Sequence, residues 1–69
     1  MTLEELGRQY LQRDEILRRR ARELRPGLQE LRGDAYRQME ARIRSLYDSA
    51  KDCREIGVYL TTYYERRKK

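Results

Sequence analysis

Histidine is absent from this chain, and so are tryptophan and phenylalanine. Without histidine, the commonest metal ligand and the commonest general base are both missing. A carboxylate-bridged metal site in a helical bundle usually needs a Glu-x-x-His motif, so that chemistry is not expected. The single cysteine, Cys53, cannot close a disulfide within the chain. With no base to activate it, its thiol reads as a small packing residue rather than a nucleophile. A lone thiol also fits a reducing compartment, so the cytoplasm is the expected location. All four glycines are isolated, which excludes a glycine-rich phosphate loop. No run approaches the ~20 apolar residues of a membrane span. The opening residues Met1 to Glu5 are acidic and lack the regions of a signal peptide. Period-two alternation of β-branched residues is absent, which argues against strands. The expectation is a chain with no cofactor, no metal, no membrane and no enzymatic activity.

What remains is charge and helix-forming residues. Charged residues make up 42% of the 69, and the formal net charge is +5. Glu, Arg, Leu and Gln are abundant, and all favour helix. Apolar residues recur at Leu3, Tyr10, Leu17, Leu24 and Leu31, an unbroken seven-residue repeat. A second row holds Gly7, Asp14, Ala21 and Leu28. Further on, Tyr36, Met39, Ile43, Leu46, Ala50, Cys53, Gly57, Leu60 and Tyr64 alternate spacings of three and four. That is the knobs-into-holes repeat of packed helices.

Read from both ends inward, these rows pair with one another. Leu3 faces Tyr64, Gly7 faces Leu60, Tyr10 faces Gly57 and Leu17 faces Ala50. Ala21 faces Leu46 and Leu24 faces Ile43. Only the rung of Asp14 with Cys53 lacks an apolar partner. Several rungs set large against small, as interdigitated helices require. The expected fold is all-α: an antiparallel two-helix hairpin, coiled-coil-like.

Thr2 followed by Glu5 predicts a capping box at the first helix. Helix one is expected over about 3–32, bent near Pro26, where proline removes a hydrogen bond and its ring clashes. The rival is a break at 25–27 followed by a short helical turn. Residues 33–34 form the turn, with Gly33 as helix stop and Asp34 as the next cap. Helix two is expected over about 35–66, ahead of a basic tail at 66–69.

Two helices make one seam and enclose no core. Chains this short generally add a disulfide, a metal or a partner. The first two are unavailable here, so association is expected. Leu6, Leu11, Ile16, Ile56, Tyr59 and Tyr63 lie off the expected seam and form the candidate protein interface, with Val58 beside them. A homodimer forming a four-helix bundle is the simplest arrangement. A heterologous protein partner is the other form of the same reading.

The alternative is a basic nucleic-acid-binding accessory or regulatory protein. Arg18, Arg22 and Arg25, with Arg32, share one helix face and are the candidate nucleic-acid contacts. Arg37, Arg44 and Lys51 make a second stripe. Against this reading, Glu4–Arg8, Asp14–Arg18, Glu15–Arg19 and Glu40–Arg44 are ordered for favourable i,i+4 pairing. Neither a zinc finger nor a helix-turn-helix pattern is present. The non-enzymatic interaction module is therefore the leading expectation.

Overall fold

A computed structural model describes residues 1–63 and 65. Two α-helices, α1 (Leu3–Leu24) and α2 (Asp34–Thr61), flank a 3-10 segment at Arg25–Glu30. Among the described residues there is no strand. The molecule measures 53 × 17 × 15 Å, with a radius of gyration of 16.0 Å. A compact domain of this length would have about 11 Å.

α1 starts where the sequence says it should. Thr2 is extended, and its Oγ1 accepts a hydrogen bond from the Glu5 amide at 3.1 Å. Glu4 and Glu5 sit in the first turn, at the positive end of the helix dipole. The far end differs from the expectation. α1 does not run through to residue 32 as an α-helix: it stops at Leu24, and a short helical segment follows, as the rival expectation has it. Arg25 keeps α-helical angles (φ −57, ψ −45), and its amide still donates to Ala21 O. Pro26 has no amide to continue the ladder, and the chain tightens into 3-10 geometry up to Glu30. Six residues is long for such a segment. Leu31 then turns extended (φ −104, ψ 149).

Gly33 carries φ 64 and ψ −134, a combination open mainly to glycine. It is the residue before α2, while Asp34 is the first helical residue rather than the cap. Asp34 therefore acts on the dipole and not through a capping hydrogen bond. At the other end, both Thr61 Oγ1 and Thr62 Oγ1 donate to Val58 O. That local back-bonding accompanies the stop at Thr61. The expected extension to 66 meets Tyr64 and Arg66, and the basic tail is 66–69. These positions lie outside the described residues, as does the Leu3–Tyr64 rung.

The two α-helices pack against each other through their smallest residues. Gly7, Asp14 and Ala21 are the buried positions of α1, and Ile43, Ala50 and Gly57 are those of α2. Each set is spaced by seven. Near the start of α1 and the end of α2 the backbones come close. A Cβ placed on Gly57 would lie 2.7 Å from Leu11 Cγ and 2.9 Å from Gly7 O. One placed on Gly7 would lie 2.9 Å from Gly57 O, 3.0 Å from Leu60 Cβ and 2.7 Å from Thr61 Cγ2. Gly7 thus lies against Leu60, as the pairing expects. At Gly57 the nearest side chain is Leu11, where the pairing expects Tyr10. Helices approach most closely where no side chain holds them apart, so the glycine–alanine rows take the centre. The leucine rows are displaced to the flanks.

The displacement leaves a thin core. Buried apolar residues are Ala21, Ile43 and Ala50 alone among the described residues, and no large side chain is fully shielded. All nine leucines are only half-buried.

Candidate functional site

The buried rows contain one charge. Asp14 is 7% exposed and accepts a hydrogen bond from Arg18 Nε at 2.5 Å, one turn along α1. Burying a carboxylate is costly unless it is paired, and Arg18 supplies the pair. Two more of the expected i,i+4 pairs form: Glu4–Arg8 at 2.6 Å and Glu40–Arg44 at 4.0 Å. Glu15–Arg19 does not form among the described residues. Both formed pairs are exposed and contribute little to stability.

The candidate interface residues do not form one surface. Leu11 is half-buried over Gly57 and is used within the chain. Ile16 is 60% exposed. It sits about 200° around α1 from the buried Asp14, on the outer side of the helix. Ile56 (42% exposed) and Tyr59 (48% exposed) lie one turn apart on the outer part of α2. Tyr63 follows α2 and meets Tyr59 edge-on, with ring centroids 5.8 Å apart and an interplanar angle of 69°. Leu6 is half-buried at the same end of the molecule, one residue from the Gly7–Gly57 contact. Tyr10 carries the Arg13 guanidinium 5.6 Å from its ring centroid. The structure therefore gathers Ile56, Tyr59 and Tyr63, sets Leu6 near their end, and separates Leu11 and Ile16 from them.

A flank that the sequence assigned to the seam adds to this surface. Tyr10, Leu17 and Leu24 on α1 and Leu46, Cys53 and Leu60 on α2 are all half-buried. Helical geometry puts Leu6 and Ile56 on the outer edges of that flank. The sequence signal was the heptad itself, but the heptad does not say which row lies deepest.

The cationic residues split between two open grooves. Arg18 lines one together with Lys51, Arg54, Glu55 and Val58. Arg25 lines the other with Tyr36, Glu40, Arg44 and Tyr47 among its neighbours. Arg22 is exposed and lines neither. Arg18 on α1 and Arg25 at the start of the 3-10 segment thus line different grooves, and α2 supplies cations to both. A third groove runs past Leu31, Ala35, Met39 and Arg42.

No group of three or more metal-ligating side chains gathers among the described residues. No helix there is long and apolar enough to cross a membrane. No protein-family model, curated protein or solved structure matches this chain.

Proposed function

We propose that the chain is a non-enzymatic interaction module: an antiparallel helical hairpin that self-associates, most simply as a homodimer forming a four-helix bundle. The observation that carries this reading is that, among the described residues, no large side chain is fully shielded, in a protein with nine leucines. Apolar burial is the main favourable term in folding, and here it is left half-used. The surface area supports the same reading. The chain exposes 5945 Å², where a compact monomer of 8.5 kDa would expose about 4,700 Å². A standard protein interface buries about 800 Å² per partner. A second copy covering the leucine flank would supply that burial. Leu6, Ile56, Tyr59 and Tyr63 are the proposed contact residues at the open end, because tyrosine combines contact area with a polar tip.

Sedimentation equilibrium of an Ile56→Glu, Tyr59→Ser variant tests this. The expected result is association weakened at least tenfold with helicity retained. Wild-type association should also change little between 50 and 300 mM salt, since apolar burial drives it. Unchanged association in the variant would sink the assignment of this surface.

A further inference from the structure

One side of the helix pair presents a regular stripe of cations and tyrosines. On α2, Arg44, Tyr47, Lys51 and Arg54 follow at spacings of three and four, so they share a face. Tyr36 precedes them by two turns on the same face. All five line two grooves, one shared with Arg18 of α1 and one with Arg25 and Leu28 of the 3-10 segment. The grooves together hold five cations, Arg18, Arg25, Arg44, Lys51 and Arg54, against two carboxylates, Glu40 and Glu55.

Three of these five cations are uncommitted. Among the described residues, Arg25, Lys51 and Arg54 are in no ion pair, and the pair of Arg44 with Glu40 at 4.0 Å is exposed and weak. Arg18 spends its Nε on Asp14, which leaves its two terminal nitrogens for another acceptor. Uncancelled charge of one sign lining a groove is costly to the chain alone and favourable to an anion.

We propose that this side is a track for the phosphate backbone of a single-stranded nucleic acid, with Tyr36 and Tyr47 as faces for its bases. The stripe is linear: Tyr36 to Arg54 is eighteen residues, or about 27 Å of helix. On α2 the cations Arg44, Lys51 and Arg54 recur one to two turns apart with Tyr47 between them, which suits phosphates that recur along a strand. Arginine's planar fork matches phosphate geometry, and four of the five cations are arginine. The tyrosines decide between polyanions. An acidic peptide would use the cations and leave the rings idle. A duplex keeps its bases inside, whereas unpaired bases stack on rings such as the exposed Tyr36 and the half-buried Tyr47. The inference stands apart from self-association, which uses the opposite flank.

The test is fluorescence anisotropy of a labelled, mixed-sequence, 20-nucleotide single-stranded DNA with the full chain. Binding is expected to weaken with salt along a log–log slope of about −2 to −3.5, for three to five phosphates contacted. Lys51→Glu with Arg54→Glu should weaken binding at least tenfold while far-UV circular dichroism stays unchanged. If that variant loses helicity, Lys51→Gln with Arg54→Gln replaces it, with at least threefold loss and a slope shallower by about 1.4. Replacing Arg66, Arg67, Lys68 and Lys69 by glutamine should leave the effect of the Lys51 and Arg54 changes intact. No binding at 50 mM salt would overturn the proposal, and so would a groove variant that binds as wild type. Equal or tighter binding of a 20-base-pair duplex, or displacement by poly-glutamate at equal charge, would overturn it too.

Discussion

Replacing Gly57 by leucine probes the closest approach in the molecule. Even the first added carbon would meet Leu11 Cγ at 2.7 Å, Leu11 Cδ2 at 2.8 Å and Gly7 O at 2.9 Å. The leucine contacts can be relieved by rotating a side chain. The Gly7 carbonyl is backbone, so relieving it means moving α1 away from α2. Overpacking of this kind costs about 1–3 kcal/mol, and a whole leucine side chain belongs near the top of that range. Against it stands a gain of about 1 kcal/mol, because glycine is a poor interior helix residue. The net expectation is a loss of about 2 kcal/mol. For a chain this size, 1 kcal/mol moves Tm by about 4–8 °C, so Tm should fall by roughly 10 °C. The assay is thermal denaturation by circular dichroism at one fixed protein concentration, because association makes Tm concentration-dependent. Gly27→Ala is the control. Nothing lies within 4 Å of its Cβ position. Its substitution should be neutral or raise stability by up to about 1 kcal/mol. A Gly57→Leu protein melting at or above the wild-type temperature would refute the close contact.

Two further substitutions separate buried from exposed roles. Arg18→Ala removes the partner of a buried carboxylate and should destabilise by about 1–3 kcal/mol in urea unfolding. Arg22→Ala, at an exposed site, should stay within about 0.5 kcal/mol, and equal effects would contradict the pairing of Arg18 with Asp14. Pro26→Ala restores the missing amide and should let α1 run on through the 3-10 segment. Ellipticity at 222 nm should rise by the equivalent of about six α-helical residues, and an unchanged spectrum would show that proline does not cause the switch.

The legible part of the fold is the part governed by spacing. Thr2 with Glu5 marked the start of α1, and the period of three and four marked α2 within one residue of its start. The seven-residue rows of Gly7, Asp14 and Ala21, and of Ile43, Ala50 and Gly57, were visible as seam positions. Their depth was not. Matching large against small residues pairs Tyr10 with Gly57, but that rule treats the leucine row as central. Two facing glycines let the backbones close first, and Leu11, off the expected seam, fills the space over Gly57. The same shift explains why the leucines end on the flanks and why Ile16 shares no surface with Ile56. At Pro26, local chemistry warned of an interruption. It left open whether the helix bends or breaks there; the α-helix stops at Leu24 and a 3-10 segment takes over to Glu30. The grooves were harder still, since they combine Arg18 and Arg25 with residues of α2 far away in sequence.

Under the proposed self-association, a second copy covers the half-covered leucines. Light scattering on a sizing column, at two protein concentrations, measures this directly. A stable mass near twice 8.5 kDa is expected at both concentrations. A mass of 8.5 kDa at both would contradict self-association.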